Sequence, residues 1–303
     1  MTIFHFTVHF GSETDCRNHF KAQRNKIGIS CRKCGHRDHY WKSDKWSYEC
    51  KACQYRTSLR CGTIMENSKL GFLIWYQAML LMSCTKKGFS AKEIQKQLGM
   101  KRYEPVWLMV QKLRRAMGNR DSRYTLEGMI EFDEAYFSIA ASEIEKEKGI
   151  RGKGAIGKQN VAVMAESIPL EDMENGKSSK HCRYFKAIVL DTHKSNEIND
   201  TIRQSLNEEC IVFTDKSKSY VDIADFVELH IMEKSSMQTT KETLKWVHIA
   251  INNAKRNLLG NYHKIERKYL QLYLDEFVYK LNRRYFGEQL FDRLVIANIT
   301  ALG

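Results

Sequence analysis

The chain has 303 residues, 43% of them hydrophobic, and a formal charge of +13 at pH 7. That length allows one sizeable domain beside smaller ones, and the composition excludes a disordered or fibrous protein. The positive excess points to a polyanionic partner, nucleic acid above all.

Met1–Phe10 is apolar but short and lacks a basic n-region, so no secretory leader is expected. Cys31, Cys34, Cys50 and Cys53 then follow a C-x2-C-x15-C-x2-C spacing. Two short clips, CRKCG and CKACQ, each turn tightly enough to aim two sulfurs at one ion, which suits structural Zn2+. The polar and aromatic segment between them, His36 to Glu49, reads as two short strands of a zinc ribbon. The other five cysteines (Cys16, Cys61, Cys84, Cys182, Cys210) show no disulfide framework. That usage suits a reducing cytoplasm. The ribbon closes a first segment, 1–64.

From 65 to 122 the periodicity is helical. Leu70, Leu73, Ile74, Gln77, Met79, Leu80 and Leu81 predict one helix. The stretch Leu70–Met82 is too short to span a bilayer, and no membrane partner is expected. Ser90 and Glu93 predict a capping box on a short helix. Gly99 is a left-handed stop, and a further helix runs from about Glu104 to Met117, with Pro105 in its first turn. Helix, glycine turn, helix, then Lys112, Arg114 and Arg115 fits a helix-turn-helix that reads DNA, or an ordinary helical hairpin.

After Gly128 the pattern turns to strands: Met129–Glu134, Asn160–Glu166 and Tyr184–Asp191. The loop Arg151–Lys158 is rich in glycine and lysine but lacks P-loop spacing. A helix over Ser195–Leu206, strands Ile211–Thr214 and Phe226–His230, and helices from about Thr239 to Leu259 and Lys264 to Arg284 complete the segment 123–303. This order is the one expected of a ribonuclease-H-like α/β domain.

Asp133 lies within an apolar strand and Asp215 directly after another. A charge at such a position is costly unless it is paired or bound to metal. Two carboxylates brought together on neighbouring strands invite divalent cations, and Mg2+ prefers such hard oxygen ligands. Alternation puts Glu131 on the Asp133 face, beside the site, and Glu134 on the opposite one.

These motifs, in the order ribbon, helix-turn-helix, IEFDEAYF, FTDKSKSY, KRNLLGNYH and YLDEFVYKLNRR, resemble bacterial insertion-sequence transposases of the DDE type. More narrowly they are similar to the zinc-ribbon-bearing group, the IS-fifteen-ninety-five group, from about Cys16 to Leu294. The resemblance implies that Asp133 and Asp215 bind Mg2+ or Mn2+ and that Lys255 follows the third ligand on the late helix. Relatives carry glutamate seven residues before that lysine, and here His248 stands there. An asparagine used in some relatives corresponds to Asn252 or Asn253. His248, Asn252 and Lys255 share a helical face, while Asn253 is turned about 100° from Asn252. The third ligand stays open among His248, Asn252 and Asn253.

The implied activity is DNA cleavage at the element's ends and strand transfer into target DNA, by two-metal phosphoryl displacement without a covalent protein intermediate. Double-stranded DNA, as terminal repeats and target, is the expected partner. Lys255, Arg256 and the basic C-terminal helix would touch phosphates, and joining two ends calls for a homo-oligomer. The alternatives are an inactive DNA-binding regulator derived from a transposase, and a nuclease acting on RNA–DNA hybrids.

Overall fold

The computed structural model describes residues 1–140, 157–171, 178–192, 194–234, 236, 242–262 and 265–301. Most of the Gly/Lys-rich loop and the expected helix starts at Thr239 and Lys264 lie outside them. The chain divides into two compact units, Met1–Arg120 with Tyr285–Gly303, and Asp121–Arg284.

The first unit opens with α1 (Ile3–His9) and α2 (Glu13–Ile27). Sequence reading assigned no helix here, although the signals for α2 are present. Ser12 and Asp15 form a capping box, acids fill the first turn, and Gly28 ends the helix at φ +92°. Three short antiparallel strands follow in the order β1 (His39–Lys42), β2 (Ser47–Cys50), β3 (Arg56–Ser58). Arg24 of α2 is buried and donates to the carbonyls of Ser58, Leu59 and Cys61, which ties the ribbon to the helix.

Next come α3 (Phe72–Cys84), α4 (Ala91–Gln97) and α5 (Tyr103–Asp121). The Ser90/Glu93 capping box forms, and Gly99 turns the chain at φ +62°. The basic cluster on α5 does not stand as a continuous exposed face. Arg114 is buried, and the Lys112 ammonium donates to the Glu66 carbonyl at 3.1 Å. Arg115 remains exposed. The last helix, at Leu290–Thr300, packs on α3 and α2 rather than with the segment that precedes it. Its Phe291 ring lies 5.5–5.9 Å from those of Phe6, Phe10 and Tyr76.

α3 starts at Gly71, which supplies no side-chain cap. Glu13 of α2 accepts instead from the Phe72 and Leu73 N–H groups at 3.0 and 2.9 Å. Burial opposes ionisation of Glu13, but these N–H groups and Arg17 hold its carboxyl below the usual 4.5. Its contribution is therefore complete above about pH 4.5 and is lost as pH falls through the lower folded value. Glu13→Ala is expected to cost about 1 kcal/mol at neutral pH. The gap from wild type should narrow in acid, as read from urea midpoints; equal midpoints at neutral pH would refute the cap.

The second unit is a mixed α/β layer structure with sheet order β6-β5-β4-β7-β8. Strands β4 (Met129–Ser138), β5 (Lys158–Glu171) and β6 (Ser178–Val189) form an antiparallel meander. After α6 (Ser195–Ser205), β7 (Ile211–Asp215) joins β4 in parallel, and β8 (Leu229–Glu233) joins β7 in parallel. β8 begins three residues later than Phe226–His230 predicts. Phe226 and Val227 pack on the core around Phe132 and Ile198 instead of pairing in the ladder. Helix α7 (Lys245–Asn261) and α8 (Leu270–Asn282) cover the other face, around Ala135, Phe137 and Val163. The helix at Leu290–Thr300 is α9. No helix among the described residues is long and apolar enough to cross a membrane.

Candidate active site

Alternation along β4 decides which side chains meet which layer. Ile130 and Phe132 pack beneath α6, while Ala135 and Phe137 pack beneath α7. Odd-numbered Asp133 therefore belongs to the α7 side. The parallel ladder ends at Glu131 and Phe213, and the same register carried two residues further sets Asp133 level with Asp215. β8 continues the row, because Glu233 pairs with Asp215. Glu233 accepts a hydrogen bond from the Thr243 hydroxyl at 2.7 Å. Sequence reading did not select Glu233, since its strand was expected to end at His230.

Burial and then the neighbouring Asp215 charge push the Asp133 carboxyl up to about 7, against the Glu134 N–H and Lys255. The Glu134 N–H donates to Asp133 Oδ1 at 2.8 Å. His248 Nδ1 lies 3.7 Å from Asp133 Oδ2. Burial pulls the His248 imidazole down, with Asp215 opposing, so the ring favours its neutral form, which carries a free lone pair. Two carboxylates and a neutral imidazole are a donor set that a divalent cation fits.

Of the three late-helix candidates, His248 reaches Asp133, whereas Asn252 and Asn253 are exposed. Lys255, also exposed, sits with its ammonium 5.7 Å from the Phe137 ring centre. Glu131 is fully buried and accepts from the Trp246 and Val247 N–H groups at 2.6 and 3.0 Å. It thus caps α7, whose N-cap residue Leu244 offers no side-chain bond. On the other face, Glu134 accepts from the Tyr220 hydroxyl at 2.8 Å and from the Asn160 amide. Tyr220 also packs edge-on against Phe132, 5.1 Å between ring centres.

The four clip cysteines gather in the first unit, their ligand atoms all within 4.8 Å of one another. Sγ separations are 3.6 Å for Cys31–Cys53 and 3.5 Å for Cys34–Cys50. Tetrahedral thiolates about 2.3 Å from Zn2+ would lie about 3.8 Å apart, so these residues could hold a metal ion. Each clip is closed alike: Gly35 N–H donates to Cys31 O, and Gln54 N–H to Cys50 O. Both closing residues take positive φ, +74° and +58°. Among the described residues no other group of three or more such ligands comes so close together. Asp133, Asp215 and His248 therefore form a wider cluster.

The basic end of α8 differs from expectation. Lys280 is buried 3.1 Å from buried Glu276, Arg283 pairs with Asp121 at 2.7 Å, and Arg284 donates to the Cys182 carbonyl. Asn282 donates to the Phe185 carbonyl and accepts from its N–H. These side chains anchor α8 to β6 and to residue 121 and are not free for phosphates. The acidic Leu274–Glu276 stretch is structural as well: Leu274 and Glu276 are buried, and Asp275 accepts from the Gln271 amide at 2.8 Å.

The family described as the ISXO2-like transposase domain matches residues 125–282, just over half of the chain. Comparison with curated proteins returns no match.

Proposed function

Because the chain belongs to the ISXO2-like transposase family, we propose that it cuts DNA at the ends of its own mobile element and transfers the freed strand into target DNA. The observation that carries this reading is the parallel β4–β7 register, which continued by two residues sets Asp133 level with Asp215, together with His248 at 3.7 Å from Asp133. Mg2+ or Mn2+ held there would supply the charge neutralisation and Lewis acidity of an in-line phosphodiester displacement. Asp133 and Asp215 would be oxygen ligands, and the imidazole of His248 would stand where relatives place a glutamate. Asn252, on the same helical face, could add a carbonyl oxygen. Exposed Lys255 and Arg256 are suited to DNA phosphates beside the site. The strand order, a meander extended by two parallel strands, supports the ribonuclease-H-like reading.

We assign Zn2+ to the four cysteines. We further assign DNA reading to the α4–α5 pair, whose exposed Lys101, Arg102 and Tyr103 open the second helix. Joining two ends requires at least two chains. The test is a duplex carrying the repeats that flank the element, incubated with Mg2+ or Mn2+. Cleavage and joined products are expected with either ion and none with a chelator. Tight, repeat-specific binding without products under any divalent ion would overturn the enzyme reading. Lys255→Ala should weaken binding across sequences and flatten the slope of log K against log salt by about one unit; an unchanged slope removes Lys255 from the phosphate contacts.

A further inference from the structure

Strand β4 carries three acids in four residues, and only Asp133 is assigned to ions above. We propose that the other two, Glu131 and Glu134, are positioning residues that fix the two elements completing the site, an inference that rests on the transposase reading. Glu131 holds the peptide units immediately before His248, and it stands two residues from Asp133 on the same strand face. That spacing is about 6.7 Å along the strand. The carboxylate thus sets where the first turn of α7, and with it His248, lies against Asp133. A carboxylate on helix N–H groups also gains from the helix dipole, which helps to offset the cost of its complete burial.

Glu134 does the corresponding work on the opposite face. It receives Tyr220, five residues beyond Asp215, and Asn160 of β5. The segment that leaves the Asp215 strand is thereby bound to the strand of Asp133. Burial and Glu134 push the Tyr220 phenol far above its usual range, so it stays a hydrogen-bond donor. The two clamps explain why IEFDE and FTDKSKSY carry Glu131, Glu134 and Tyr220 as well as the ion ligands. In one case a neighbour of Asp133 grips the helix that bears His248, and in the other the segment that follows Asp215.

The experiment measures Mn2+ binding to the full-length protein, from the electron paramagnetic resonance signal of the free ion, beside strand transfer and thermal melting. Groups that orient metal ligands typically change affinity by about 10- to 100-fold. Glu131→Leu should weaken Mn2+ binding by about tenfold or more, and Glu131→Gln, which keeps an acceptor for α7, should stay within about threefold of wild type. Tyr220→Phe, which removes one hydroxyl, should weaken binding by several-fold. Equal weakening by Gln and Leu would make Glu131 a charge donor or ligand and overturn its assignment, as would wild-type affinity in a folded Glu131→Leu protein. Should that variant not fold, Glu131→Asp, one methylene shorter, decides: unchanged affinity overturns the proposal. Unchanged affinity in Tyr220→Phe removes the Glu134 half. A wild type that binds Mn2+ while every variant matches it defeats the positioning roles alone. A wild type without binding or cleavage defeats the functional reading as well.

Discussion

Asp133→Asn is expected to lower strand transfer by about a thousandfold or more, about 4 kcal/mol in the barrier, while leaving the metal-free protein at least as stable as wild type. The substitution keeps shape and volume and removes one charge. In wild type, burial and Asp215 push the Asp133 carboxyl up to about 7 from 3.8. Folding therefore favours its protonated form, and stability declines as pH rises from about 3.8 to about 7. Above that range the ionised carboxylate destabilises the metal-free fold, and the neutral amide relieves it. Divalent ions should reverse the order, stabilising wild type by about 2.7 kcal/mol at a hundred times the dissociation constant and the variant far less. Activity lost together with stability would mean that Asp133 serves packing. Activity retained would end the case for ion chemistry at this site. Asp215→Asn should behave alike in the strand-transfer assay.

Much of this site was legible in the sequence because its signals are local. Acids inside a strand of otherwise apolar residues stand out by the cost of burying them, and period-two alternation already puts Glu131 on the face of Asp133. The cysteine spacing already picks out the four residues that gather. The strands β4, β5, β6 and β7 follow from short β-branched runs, and the α4 capping box from Ser90 and Glu93. Helix α2 carries the same capping signal at Ser12 and Asp15, blurred because an aspartate stands where the signature has glutamate or glutamine.

What was not legible depends on partners far away in the chain. Glu131 caps a helix 115 residues later, and Glu13 caps one 59 residues later. A sequence shows only that Leu244 and Gly71 are poor caps, not which acid replaces them. The misreading of the α8 lysine and arginines has the same origin. KLNRR looks like a phosphate-binding run, yet Arg283 is paired with Asp121 and Lys280 with Glu276. Charge counts do not distinguish a cation facing solvent from one committed to a buried carboxylate. The positive excess of the chain remains, but fewer of its charges are available to DNA than the runs suggest.

With Zn2+ assigned to the four cysteines, its removal should unfold the ribbon outright. From Cys31 to Leu59 the buried side chains are Cys31, Ser47, Tyr48, Cys50, Thr57 and Leu59, too little apolar area to order three short strands. A structural Zn2+ supplies about 10–16 kcal/mol of apparent folding free energy, as much as a whole domain usually has. The contacts to α2, from Arg24 to three carbonyls and from the Tyr48 hydroxyl to Asn25 at 2.8 Å, fix where the ribbon sits but do not replace a core. Treatment with a strong chelator should release about one Zn2+ per chain and open Lys42, Lys45 and Lys51 to trypsin, while the second unit stays protected. Cys50→Ser should reproduce that state without chelator. Cys61→Ser, outside the cluster, should leave metal content unchanged. If the chelated protein keeps those lysines protected, or if Cys50→Ser retains a full complement of metal, the ribbon is held by its backbone ladder and its anchors, and the four sulfurs meet for another reason.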